Sequence, residues 1–277
     1  MSFQASTEVP APIFIGGVPR SGTTLLRVIL DTHPRIHCGT ELRVVQALAN
    51  LSTNAEQSAA KILESAYGVD LPRLREIFAE LILEFLRPAW QASGKPRVAE
   101  KTPWNLLAFP QLHRLFPRSP LIHVIRDPRD VVASRLERDR MAASGNAIDT
   151  VALAGHRARE WTDAMAIGRF MRSNSEFAAR YFEIRYEALV RTPEPVLREL
   201  FAFLEEDFDP AVLNFHRTQR EVTGSEEWSA QAVQRPLFES SIGRWKQDLS
   251  ESEQAAVTSV AGGTMEHLGY AVNGMPA

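Results

Sequence analysis

Ile13-Phe14-Ile15-Gly16-Gly17-Val18-Pro19-Arg20-Ser21-Gly22-Thr23-Thr24 is the stretch on which the reading of this chain turns. Its first residues form a short apolar run suited to a buried strand. The residues that follow, Leu25-Leu26-Arg27-Val28-Ile29-Leu30, suit a helix. Between the two lies a turn bounded by Gly17 and Gly22, which let the backbone bend tightly so that successive N–H groups point at one spot. The start of the helix adds a partial positive charge at the same place. Strand, glycine loop and helix in that order make an anion cradle, and the Gly17-to-Gly22 spacing is that of a phosphate-binding P-loop. Thr23 stands where a nucleoside triphosphatase would carry its Lys. The fixed cation is instead Arg20, inside the loop, which suits a metal-free phosphosulfate better than ATP. The glycine spacing by itself also fits a tight turn with no ligand.

The composition bounds the rest. With 277 residues the chain is long enough for one large α/β domain or two small ones. Its 44% hydrophobic and 23% charged residues are those of an ordinary globular protein. A net charge of -3 and a pI near 6.2 leave no electrostatic footprint for nucleic acid or an anionic membrane, so local basic clusters must serve local anions. The one cysteine, Cys38, excludes an intrachain disulfide and points to a reducing compartment. Met1 to Pro12 has no basic region followed by an apolar core, and no apolar run is long enough to span a bilayer. The expectation is a soluble cytoplasmic protein. The seven histidines show no metal-ligand spacing, and no metal is expected.

Taken in order, residues 1–11 read as a disordered lead-in, and residues 12–277 as a single domain. The first helix should end near Asp31, because Pro34 forces an exit from helical geometry. Residues 35–40 read as a loop, with a new helix opening at Glu41. Residues 52–95 read as a helical insert of two helices, Ala55 to Tyr67 and Leu71 to Arg87, the second stopped by Pro88. Arg97 to Lys101 reads as a strand running into Thr102-Pro103. Pro120 to Ile125 is the clearest buried strand, and it runs into Arg126-Asp127-Pro128-Arg129-Asp130 and a helix that carries Ser134 and Arg138 on one face. A long helix from Thr150 to Asn174 should turn Trp161, Met165 and Phe170 inward. A strand from Ala179 to Arg185 leads to Tyr186, and Thr192 should cap the helix begun by Pro193. Residues 216–246 read as a long closing loop, and Ser250 to Tyr270 as a final helix pair. Strands separated by helices give an α/β fold: P-loop-like, three-layered, with a central mainly parallel sheet.

These motifs, together with Leu30-Asp31-Thr32-His33-Pro34 and Cys38-Gly39-Thr40-Glu41-Leu42-Arg43, resemble the sulfotransferases that use 3′-phosphoadenosine 5′-phosphosulfate (PAPS). Within them the chain is most similar to the tyrosylprotein sulfotransferase branch and its bacterial relatives. The resemblance implies that Arg20, Ser21, Gly22, Thr23 and Thr24 hold the 5′-phosphosulfate. It implies a 3′-phosphate site at Arg126, Ser134 and Arg138, with Tyr186 approaching the nucleotide. It implies a closing loop in which Ser229, Arg235 and Arg244 meet the donor. Glu41 matches the general base, Lys101 the cation at the leaving oxygen, and Arg43 an acceptor-side arginine. Each has a plainer reading: a first-turn Glu that favours a helix dipole, a Lys at a strand end, a solvated Arg, a core Tyr with a satisfied hydroxyl. The branch's second acceptor-side Arg is Ala47 here, and the position that would pair with Cys38 is Ala99. Ala47 tilts the acceptor toward a small molecule, with a sugar or a tyrosine also open. Whether the chain forms a homodimer is open as well.

Two rivals belong to other classes. A P-loop kinase would need the loop Lys and a magnesium carboxylate, for which Asp127 is the one candidate. A non-catalytic nucleotide-binding module would keep Arg126 and Ser134 without needing Glu41 or Lys101. The joint presence of the last two favours an enzyme that releases adenosine 3′,5′-bisphosphate (PAP).

Overall fold

The computed structural model describes residues 11–218 and 233–272. The lead-in before Ala11, and Ser229 with the rest of 219–232, lie outside the described residues. The quoted stretch forms strand β1 (Ile13–Gly16), a loop and helix α1 (Thr23–Thr32). Then come β2 (Ile36–Cys38), α2 (Val45–Tyr67), α3 (Leu71–Ser93) and β3 (Arg97–Lys101). A 3-10 segment, Pro103–Ala108, leads into α4 (Phe109–Leu115), β4 (Leu121–Ile125) and α5 (Pro128–Ala142). The long α6 (Thr150–Ser173), the short α7 (Ser175–Ala178), β5 (Tyr181–Arg185), α8 (Tyr186–Arg191) and α9 (Pro193–Phe203) follow. The C-terminal part holds a short helix, Trp245–Asp248, and a longer one, Glu251–His267.

The five strands form one parallel sheet in the order β2-β3-β1-β4-β5. The central strands β1 and β4 are buried along their whole length, and helices cover both sides of the sheet. One core layer packs Val98, Leu106, Phe109, Trp161 and the C-terminal helix against Phe14 and Leu121. The other packs Ile13, Ile15, Ala99 and Ile122 against α1 and α9. Alternate residues of a strand face opposite layers, so Glu100 and Lys101 at the end of β3 point to opposite sides of the sheet. The chain leaves β1 toward β2 on one side and reaches β4 and β5 on the other. The crevice at the carboxyl end of β1 is therefore where an α/β sheet takes its ligand.

Several local expectations give way. Residues 36–38 form edge strand β2, with Cys38 directly across from Ala99. Residues 41–44 are irregular, with Arg43 in the left-handed region at φ 60°, so α2 opens four residues later than periodicity places it. Pro88 does not stop α3, which runs on to Ser93 and ends at Gly94 in the left-handed conformation. Phe170 is half exposed, while Trp161 and Met165 are buried. The Thr192 hydroxyl does not cap α9 but donates back to the Ala188 carbonyl at 3.1 Å. The final segment is a single helix with a Ser250–Glu253 capping box.

Trp161 ties the core to the crevice. It is fully buried, and its Nε1–H donates to the Arg126 carbonyl at 3.0 Å. Trp161→Ala is expected to lower stability by about 3–5 kcal/mol, read by chemical denaturation.

Candidate active site

The loop after β1 needs its glycines for close approach. A Cβ at Gly17 would lie 2.6 Å from the Val124 carbonyl oxygen, so only glycine lets the loop lie against the end of β4. Gly22 adopts φ 98°, and a Cβ there would lie 2.4 Å from the Tyr186 ring. Arg20 sits between them at φ 81°, a left-handed conformation that costs a non-glycine residue about 1–3 kcal/mol. That strain turns the guanidinium inward, where its Nε donates to the Ser134 Oγ at 2.9 Å. The first N–H groups of α1 have no helical acceptor and open onto the same space.

Arg126 leaves the end of β4 beneath that loop. Its Nη1 donates to the Arg20 carbonyl at 3.0 Å, its Nη2 to the Ser241 carbonyl, and its guanidinium lies 4.4 Å from the centre of the Tyr186 ring. The Tyr186 hydroxyl and the Ser241 Oγ are 2.7 Å apart. Ser134 and Arg138 follow one helical turn apart on α5. Together with Arg244 these arginines surround one cavity of about 530 Å³, whose wall also includes Thr23, Thr24, Glu41, Arg43 and Tyr186. Burial, then the positive charges of Arg126 and Arg138, bring the Arg20 guanidinium down to about 10. Among the described residues, the Arg126 Nε and the Ser21 Oγ are buried with no hydrogen-bond partner. Fixed cations that repel one another around a cavity, with donor groups left over, describe a site for a multiply charged anion.

The opposite wall is built from the end of β3. Lys101 is fully buried, and its Nζ donates to the Glu41 Oε1 at 2.8 Å and to the Thr24 Oγ1 at 3.2 Å. Arg43 reaches the second Glu41 oxygen at 3.3 Å, with a side chain 60% exposed at the cavity mouth. Gln46, Thr102, Pro103 and Trp104 also line the cavity. A carboxylate and an ammonium in contact, beside a threonine of the anion loop, can take a proton and neutralise a leaving oxygen within one space.

Of the residues singled out from sequence, Arg20, Gly22, Thr23, Thr24, Glu41, Arg43, Arg126, Ser134, Arg138, Tyr186 and Arg244 line this cavity. Lys101 and Ser21 lie just behind its wall. Arg235 is exposed and does not line the cavity, because the chain turns it outward after Val233. Arg129 is not a solvated residue: it pairs with Asp127 at 2.6 Å and lies 4.1 Å from the centre of the Trp245 ring. Asp127 holds the turn by accepting the Arg129 N–H at 2.9 Å.

Sequence reasoning missed the residues that hold the walls. Asp130, nearly fully buried, accepts the Gly243 N–H at 2.8 Å and the Trp245 N–H at 3.1 Å, which brings Ser241 and Arg244 onto the cavity. Its place one helical turn after Arg126 was the available signal. Burial, partly offset by Arg126, raises the Asp130 carboxyl above its usual range.

Comparison with known proteins follows this geometry. A family model described as the Sulfotransferase family matches residues 12–210. Protein-tyrosine sulfotransferase A of Caenorhabditis elegans is 30% identical over 268 residues, covering 95% of this chain and 68% of that protein. The sulfotransferase domain from the Synechococcus olefin synthase superposes with a TM-score of 0.64 at 23% identity, over 98% of this chain and 100% of that one. A mouse sulfotransferase complexed with PAP gives a TM-score of 0.59 at 16% identity, over 92% of this chain and 85% of that one. At these identities the two structures are alike in fold.

Sulfate tests the charge argument without any nucleotide. It should raise the melting temperature more than chloride of equal ionic strength, because a bound dianion relieves the repulsion between the arginines. Arg126→Ala should lose most of that extra rise, while the general salting effect of sulfate stays.

Proposed function

The chain belongs to the sulfotransferase family, and from that premise we propose that it moves a sulfuryl group from PAPS to a hydroxyl acceptor and releases PAP. The observation that carries this reading is one cavity with arginines and a glycine loop at one end and the Lys101–Glu41 pair at the other. The buried, partnerless Arg126 Nε and Ser21 Oγ fit a phosphorylated ligand. The mouse relative complexed with PAP supports the choice of donor.

Arg126, Ser134 and Arg138 would hold the 3′-phosphate, and Arg244 would close over it. Arg20, Ser21, Gly22, Thr23 and Thr24 would hold the 5′-phosphosulfate. Leu25, Tyr186, Val233 and Phe238 form an apolar pocket beside the arginines that suits the adenine. When bound, PAPS supplies a sulfuryl group whose sulfur bonds to the acceptor oxygen as its bond to the phosphate oxygen breaks. Glu41 takes the acceptor proton, and Lys101 neutralises the charge left on the phosphate oxygen. Positioning and charge neutralisation carry such a transfer, as they do for phosphoryl groups.

Relatives named protein-tyrosine sulfotransferases support a tyrosyl hydroxyl in a peptide as the acceptor. Arg43 at the cavity mouth and the nearby Trp104 fit an aromatic ring with an acidic neighbour. Ala47 leaves that acidic contact to Arg43 on this side. Incubation with PAPS and a panel of acidic tyrosine peptides, sugars and small phenols, read by mass spectrometry, tests the choice. Sulfation of the sugar or phenol alone would remove the peptide.

Glu41→Gln is expected to cut turnover by about 10²–10⁴-fold and leave PAP affinity unchanged by calorimetry. Full turnover by that variant would remove Glu41 as the base. Arg126→Ala is expected to weaken PAP binding by about tenfold or more. No heat from PAP with the unsubstituted chain would remove PAPS as the donor.

A further inference from the structure

We propose that Glu100 is the positioning residue of the general base, holding the Glu41–Arg43 backbone against the end of β3 so that Glu41 meets Lys101. The inference rests on the reading of Glu41 as the base.

Glu100 is 2% exposed and does not itself line the cavity, though Thr102, which it holds, does. Its Oε1 accepts the Leu42 N–H at 3.2 Å and the Thr102 hydroxyl at 2.7 Å. The Asn105 amide donates to its other oxygen. The Thr102 Oγ1 in turn accepts the Arg43 N–H at 3.2 Å. Two successive N–H groups of the base-bearing loop are thus tied, one directly and one through Thr102, to a single buried carboxylate. Burial raises the Glu100 carboxyl above its usual range, against the pull of these donors.

The loop needs such a hold. It is not helical, and Arg43 sits in the left-handed region at φ 60°, a strained state that persists only where its surroundings over-determine it. A buried carboxylate is costly unless its oxygens are fully used. Glu100 is the costlier choice over a leucine at this position, and its return is acceptor capacity for one backbone N–H directly, a second through Thr102, and two side chains. Leu cannot replace it, because the Leu42 N–H, the Thr102 hydroxyl and the Asn105 amide would lose their acceptor. Gln can, if its oxygen faces Leu42 and Thr102 and the Asn105 amide turns its partnerless Oδ1 toward the new NH2. Because strand residues alternate, the same two positions deliver both halves of the chemistry. Lys101 backs the cavity wall and meets Glu41 from one side of the sheet, and Glu100 fixes the base from the other.

The test uses the full chain with PAPS and a confirmed acceptor. Glu100→Leu should lower kcat by about 10²-fold, the loss expected of a base displaced by an ångström, while PAP affinity by calorimetry stays at the wild-type value. Glu100→Gln, which keeps the acceptor for Leu42 and Thr102, should restore most of the rate. Thr102→Val should lower kcat in the same way, and Thr102→Ser should restore most of it. In a Glu41→Gln background, Glu100→Leu should add no further loss, since the residue it positions is already gone. Wild-type kcat in both Glu100→Leu and Thr102→Val, with Glu41→Gln inactive, would overturn the positioning role and leave the base in place. A further loss in the double variant, or a parallel loss of PAP affinity, would also overturn it. Full turnover by Glu41→Gln would instead sink the reading on which the inference stands. If Glu100→Leu does not fold, the contrast between Thr102→Val and Thr102→Ser decides.

Discussion

Guanidinium groups repel one another, and this fold brings several of them to one cavity and keeps them there. Arg126 is the centre of the arrangement. Its carbonyl is held by Trp161, its guanidinium lies on Tyr186, and the next backbone N–H, that of Asp127, is taken by Glu187 at 2.8 Å. Arg20 is turned toward it by a strained backbone, and the depressed Arg20 guanidinium reflects burial first and the neighbouring charges second. Asp130, Glu137 and Asp248 offset part of this charge, and a bound anion would relax the rest. The overall charge of -3 is no obstacle, because the field acts over a few ångströms inside low-dielectric walls.

The parallel sheet converts that field into a reaction site. β1, β3 and β4 are neighbours, so the glycine loop, Lys101 and Arg126 emerge side by side although they lie far apart in the chain. The register sets Ile15 across from Lys101 on one side and from Ile122 on the other. Buried carboxylates then pin the irregular segments to this frame: Glu100 holds the loop of residues 41–43, and Asp130 holds residues 243–245. Each closes a wall of the cavity with backbone bonds, which are less adaptable than side-chain contacts.

Much of this was legible in local spacing. The glycine loop, the strand ending in Arg126, and the one-turn step from Ser134 to Arg138 each depend on residues close together in sequence, where backbone geometry leaves few choices. The misreadings share the opposite cause. Residues 41–44 carry helical periodicity, yet two N–H groups are claimed by Glu100 and Thr102, some sixty positions away. The ring on which Arg129 lies, that of Trp245, is likewise far off in sequence. Pro88 is tolerated because it sits on the exposed side of α3, where a lost N–H bond meets water.

The sequence by itself determined the α/β class, the anion loop, the second cation cluster and the family likeness, since each is written in contiguous residues with few alternative conformations. Only the tertiary structure decided that Lys101 touches Glu41, that Arg235 faces outward, and that Glu100 and Asp130 brace the walls. Those facts hang on hydrogen bonds between distant segments. Such bonds form only once the sheet has set the register, and no local pattern encodes them.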